Sequence, residues 1–162
     1  MTALRYAYVL ALVVWLGGMV TIASVVAPAT FTALERVDPT TGRTRAAAVV
    51  GEVLRRFRLV GYAAGAVLLT TLLLMKVVGP RPLGFGRRLV IVGGMLAVSV
   101  VSGLLVDPAI ARRREMLGVP VASLAPSDPR RVAFGRLHGL STALMGVGIL
   151  GGLVLCYWET RE

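Results

Sequence analysis

Four stretches of the chain contain no Asp, Glu, Lys or Arg: Tyr6 to Ala29, Leu59 to Met75, Leu89 to Val106 and Leu137 to Trp158. Each approaches the roughly 20 residues with which a helix crosses about 30 Å of hydrocarbon. A soluble core built from 162 residues is too small to hide four such runs, and the hydrophobic fraction of 56% with mean hydropathy +0.79 makes the same point. The expectation is an all-α integral membrane protein: a four-helix transmembrane bundle with short amphipathic cytoplasmic helical segments. It reads as one domain over residues 1–162, with spans near 6–29, 59–78, 88–106 and 136–158. The two shorter runs suffice if Arg58, Lys76 and Arg88 snorkel from helix ends to the headgroups.

The first run has a rival reading as a cleaved signal peptide, with Arg5 before it and "APA" at 27–29 as a small-residue site. It is longer than the 7 to 15 or so residues of such an apolar region, which favours a retained span. The single cysteine, Cys156, excludes an internal disulfide, and no paired cysteines are present to hold zinc.

The net charge of +10 is distributed as topology demands rather than as a nucleic-acid surface. Loops 1–2 and 3–4 hold twelve basic residues (Arg36, Arg43, Arg45, Arg55, Arg56, Arg58; Arg112, Arg113, Arg114, Arg130, Arg131, Arg136), and the remainder of the chain holds six. The positive-inside rule then puts both termini outside and the two longer loops in the cytoplasm, in a bacterial cytoplasmic membrane. The expected partners are the lipid bilayer, with anionic headgroups at the arginine-rich loops, and a homo-oligomer as a further option; no nucleic acid is expected.

Asp-Pro occurs at 38–39, 107–108 and 128–129, a pair suited to helix starts because Asp caps and Pro lacks the amide hydrogen that would go unpaired. A short cytoplasmic helix is expected from Pro108 to about Leu117, then the linker "GVPVASLAPS", then a last helix from Pro129. "TRAAAVVGEVLRRFR" places Val49, Val50, Val53, Leu54 and Phe57 on one side, as an interfacial helix feeding span 2. "VGPRPLGFG" reads as the turn between spans 2 and 3. Pro28 should bend span 1.

Small residues are expected where membrane helices meet. On that rule span 1 would turn Gly17, Thr21, Ser24 and Pro28 inward, and span 2 Gly61 and Gly65. Span 3 would present Gly93, Ala97 and Gly103, leading to Asp107. Span 4 would present Gly135, His138, Ser141, Thr142 and Met145, continuing to Gly148 and Gly152, with Leu140, Leu144, Val147, Leu150 and Val154 toward lipid. The two Gly-x-x-x-Gly pairs serve self-association or packing within one chain equally well.

Three blocks, "VVWLGGMVTIASVVAPATFTAL", "LLVDPAIARRREML" and "FGRLHGLSTALMG", together resemble the transmembrane protein 205-like family, whose bacterial members carry domain of unknown function 4149. The matching positions are Trp15, Gly17, Gly18, Pro28 and Phe31, then Asp107 and Pro108, then Phe134, His138, Gly139 and Ser141. Met145 is a departure from the family pattern, lying near where relatives often carry Asn. The resemblance implies a four-span membrane protein and, through eukaryotic relatives linked to platinum-drug resistance, a phenotype without a mechanism.

Ionisable residues at membrane depth are candidate functional groups by default. Asp107 ends span 3 and His138 opens span 4 on the same side, which makes a cytoplasm-facing polar cluster of Asp107, His138, Ser141, Arg58 and Glu35 the candidate site for transport of, or resistance to, a small solute or ion. Imidazole, with an ordinary pKa of about 6.5, changes charge in the physiological range. The bland alternatives are an N-cap role for Asp107 and a packing or interfacial role for His138. A second function class is a non-catalytic membrane scaffold or accessory subunit. Copper or haem handling is weaker: "WLGG" resembles a segment of copper-resistance membrane proteins, and Met19, Met95 and Met145 are thioethers suited to Cu(I), but one histidine cannot give bis-histidine haem ligation. No cofactor or metal site and no enzymatic constellation is expected, since a nucleophile with its base, paired carboxylates and a phosphate loop are all missing from the sequence.

Overall fold

The computed structural model describes residues 2–78 and 82–161. Within them the chain forms four long helices, each apolar and long enough to cross a membrane: α1 (Thr2–Val37), α2 (Gly42–Val78), α3 (Phe85–Leu117) and α4 (Pro129–Glu159). Residues 79–81 of the expected "VGPRPLGFG" turn, Arg81 among them, lie outside the described residues; Gly84, with φ +67°, ends that connection in a conformation suited to glycine. The protein is a multi-pass membrane protein.

The helices are longer than the charge-free runs. At 1.5 Å per residue the 36 residues of α1 extend about 54 Å, well beyond a hydrocarbon core of about 30 Å. Thus "TRAAAVVGEVLRRFR" is no separate interfacial helix but the first turns of α2, packed on the end of α1 in a hairpin that projects from the bilayer. The expected short helix from Pro108 is likewise continuous with span 3, and Asp107 is an interior helical residue rather than an N-cap.

Proline does not break these helices because a π-helical turn precedes it in both. Ile22–Val26 leads into Ala27-Pro28, and Ser102–Val106 into Asp107-Pro108; the amides of Ala27 and Asp107 each reach back five residues, to Ile22 and Ser102. The wider turn shifts the hydrogen-bond register where the proline lacks a donor. At Asp128-Pro129 the expected cap is present, with the Asp128 carboxylate accepting from the Arg130 amide at 2.8 Å. That amide and the Arg130 guanidinium hold the Asp128 carboxyl below its ordinary pKa, the side chain contributing most.

Hairpin α1–α2 is repeated by hairpin α3–α4. The π turn and the following helical segment recur 80 residues later at identical length, and the start of α4 follows that of α2 by 87, the second connection being longer by seven residues. Burial obeys the same offsets. Tyr8, Leu12 and Trp15 correspond to Arg88, Val92 and Met95, and Gly61, Gly65 and Leu68 to Gly148, Gly152 and Leu155, all buried. Contacts repeat as well: Gly65 packs on Leu96, and its counterpart Gly152 on Leu16. Each of α1 and α3 lies beside both α2 and α4, so neighbours in the four-membered ring run antiparallel.

Large side chains of α1 and α3 fill the centre against glycines of α2 and α4. A Cβ on Gly61 would lie 3.0 Å from the Trp15 indole nitrogen, and one on Gly151 2.9 Å from Met95. This corrects the expectation for span 1: Gly17, Thr21, Ser24 and Pro28 are exposed, and Tyr8, Leu12, Trp15, Met19 and Ile22 face inward. Ala97 on α3 is also exposed. The bulky face of α4 does turn outward at Leu140, Val147, Leu150 and Val154.

Candidate functional site

Two polar clusters close the bundle, one at each end. At the end carrying the projecting hairpin, Arg58 of α2 forms an ion pair with Asp107 of α3. Its second guanidinium nitrogen donates to the Gly103 carbonyl at 3.1 Å. In the π register, Gly103 is the carbonyl that the missing amide of Pro108 would have approached, so arginine supplies the donor that proline cannot. One turn along α2, the Tyr62 hydroxyl donates to Ser99 at 3.4 Å. Gly103 permits this approach: a Cβ there would sit 2.6 Å from both Arg58 Cδ and the Tyr62 oxygen. The side chains of Arg58 and Asp107 are 21% and 32% exposed, so the pair is half-buried and open on one side.

The other expected members stand apart. Glu35 pairs with Arg43 at 2.9 Å across the tip of the projecting hairpin. His138 is exposed, stacked on Phe134 with ring centroids 6.4 Å apart, and its carbonyl accepts from Thr142 at 3.0 Å. The inward seam of α4 runs through Gly148, Gly152 and Leu155; at 100° per residue His138 lies about 80° off it, and Leu137 and Ser141 lie close to it. The expected stripe drifted around the helix, which is why His138 does not point into the bundle. Asp107 therefore meets Arg58, not His138. Arg58 does not snorkel away from the bundle; it turns onto α3.

At the opposite end lies a cluster that sequence reasoning missed. Arg88, 1% exposed, forms an ion pair with Glu159, donates to the Leu83 carbonyl at 3.1 Å, and lies over the Tyr8 ring at 5.8 Å. Arg5 joins the same carboxylate at 3.2 Å and the Glu159 carbonyl at 3.3 Å. Arg88 was expected to snorkel; it is turned inward because its carboxylate partner, on the last turn of α4, sits across the ring from it. The only available signal was the adjacency Arg87-Arg88, two cations at one helix start that cannot share one direction.

Between the ends the interior is apolar: Leu12, Trp15, Leu68, Leu72, Val92, Met95 and Leu155 pack in one cluster. Met19 and Met95 fill the space beside Gly148 and Gly151, and Met145 packs against the same cluster. Among the described residues, no three His, Cys, Asp or Glu side chains converge.

Two repeated helical hairpins, an apolar interior and an ion pair at each end define a four-span membrane bundle. The chain belongs to the family described as Domain of unknown function (DUF4149), which it matches over residues 10–118. That match includes Trp15, Gly17, Gly18, Pro28, Phe31, Asp107 and Pro108 and ends before Phe134, His138, Gly139 and Ser141. No curated protein and no solved structure matches the chain.

Proposed function

We propose that this chain is a non-catalytic accessory or assembly subunit of a bacterial cytoplasmic membrane, acting through its outer faces. The observation that supports this reading is the filling of the bundle axis by Leu12, Trp15, Leu68, Val92 and Leu155, each at most 2% exposed, between two ion-paired ends. Native electrophoresis of polymer-solubilised membranes tests it. A defined assembly is expected; migration as a lone 17.1 kDa chain overturns the reading. The arginine bias of the longer loops supports termini outside and the Arg58–Asp107 end in the cytoplasm. A kinship with transmembrane protein 205-like proteins rests on the three sequence blocks.

A second reading is transport of, or resistance to, a small solute or ion at the Arg58–Asp107 pair. It is favoured by the placement of that pair beside a π-helical turn, which Asp107 directly follows and whose Gly103 carbonyl Arg58 holds, a distortion frequent at functional sites. Solute flux into proteoliposomes that disappears in Asp107→Asn would support it; no flux with any tested solute in folded protein would sink it.

A further inference from the structure

We propose that the groove between α3 and α4 at the Arg88 end binds one anionic phospholipid, whose phosphate pairs with Arg87 and whose acyl chain lies along Val90 and Ile91. The groove has a volume of about 370 Å³ and is lined by Gly86, Arg87, Val90, Ile91 and Trp158. It is open along its length, and in a four-span bundle an open groove on the outside of two spanning helices faces lipid.

Charge selects the lipid. Among the described residues four other cations of this end have partners: Arg5 and Arg88 share Glu159, Lys76 lies over the Phe85 ring at 5.7 Å, and Arg161 lies over the Tyr157 ring at 4.7 Å. Arg87 is exposed and has no carboxylate partner among the described residues. Its level is that of a headgroup, because Trp158 and the exposed Tyr6 and Tyr157 ring the same end as an interfacial aromatic belt. Below it the wall turns apolar, with Val90 73% exposed. Gly86 leaves room for a chain, as a Cβ there would meet nothing within 4 Å. A cation above an apolar trough complements an amphiphile with an anionic head; a zwitterionic head carries its own cation and gains less from Arg87.

The two tryptophans give a local readout. Trp15 is 2% exposed at the bundle centre, while Trp158 lines the groove, so acyl-brominated lipid in contact with the groove quenches Trp158 alone. The full chain is placed in phosphatidylcholine nanodiscs containing a fixed minor fraction of acyl-brominated phosphatidylglycerol or acyl-brominated phosphatidylcholine. Phosphatidylglycerol should quench at about fivefold lower mole fraction, as one basic residue at an anionic surface provides. Arg87→Gln, an exposed position, should bring the two lipids level, and Gly86→Leu should weaken quenching by both. Trp158→Phe should abolish it, and added inorganic phosphate should not displace the lipid. Equal quenching by both lipids in the unmodified chain overturns the proposal, as does a phosphatidylglycerol preference that survives Arg87→Gln. Absence of quenching, because a second chain covers the groove, or displacement by phosphate alone also overturns it.

Discussion

Arg58 and Asp107 form an ion pair across the two halves of the bundle, while the residues that occupy their places in the repeat, Met145 and Ala27, are both apolar. The same architecture is therefore closed once with charge and once without it. In the uncharged half, hydroxyls serve the distorted helix instead, with Ser24 and Thr30 donating to the Val20 and Val26 carbonyls at 2.7 and 2.6 Å.

Asp107→Ala alone leaves the Arg58 guanidinium half-buried without its carboxylate. For a pair exposed at 21% and 32%, the loss should fall between the surface and buried ranges, about 1–2 kcal/mol. The double variant Arg58→Met with Asp107→Ala copies the other half and should return to within about 1 kcal/mol of the parent. Thermal unfolding of the four proteins of this cycle in one detergent decides it. A double variant as unstable as the two single losses added together would mean that Arg58 and Asp107 are not energetically coupled, against the ion pair described.

Glycines of similar appearance should differ sharply. A Cβ on Gly65 would approach the Leu96 Cγ at 2.7 Å and the Trp15 ring at 3.1 Å, so Gly65→Ala should cost about 1–3 kcal/mol through overpacking. Gly17 has open space, so Gly17→Ala should be neutral or gain up to about 1 kcal/mol from helix propensity. Equal melting shifts for the two would contradict the packing described.

The contrast between Gly17 and Gly65 also shows what the sequence could and could not convey. Charge-free runs located four helices because a bilayer tolerates few unpaired charges. Helix ends were harder to locate, since Pro28 and Pro108 look like breaks unless a π turn absorbs them, and a π turn has no composition of its own. Small residues suggested contact faces, yet here the bundle packs large against small, so Tyr8 and Trp15 marked the inside of α1 and Gly17 the outside. Asp107 stood out as an ionisable residue at the membrane edge, but its partner depended on which helix lies beside α3. His138 was misplaced by about 80° of helical rotation, an error that one neighbouring contact corrects.

Outside the membrane, Glu52 accepts hydrogen bonds from Arg55 at 2.7 and 2.8 Å and from Arg56 at 2.7 Å. These partners, Arg55 first, hold its carboxyl down to about 2 from an ordinary 4.5. A depressed folded-state pKa gives stabilisation that is fully present above the unfolded value and lost as pH falls through the folded one. The projecting hairpin should therefore be insensitive to Glu52 protonation from neutral pH to about 4.5 and lose this contribution on approach to pH 2. The carboxyl carbon shift of labelled Glu52, assigned with Glu52→Gln, reports it. A midpoint near 4.5 would show that the arginine contacts do not persist in solution.

Arg5 and Arg88 hold one carboxylate from opposite environments, and their removal should separate a surface ion pair from a buried one. The Arg88 side chain is 2% exposed and that of Glu159 12%, whereas the Arg5 side chain is 45% exposed. Arg88→Met strips the buried carboxylate of its inner partner and should cost about 3–5 kcal/mol. Arg5→Gln removes a screened charge and should cost at most about 1 kcal/mol. Replacing the inner pair together, Arg88→Met with Glu159→Leu, should recover most of the loss, since the counterparts in the other half are Tyr8 and Leu72, and Leu72 is fully buried without a charge. Melting temperatures of the three variants in one detergent supply the comparison. If Arg5→Gln proves as damaging as Arg88→Met, the outer arginine carries the contact and the inward arginine is a packing residue.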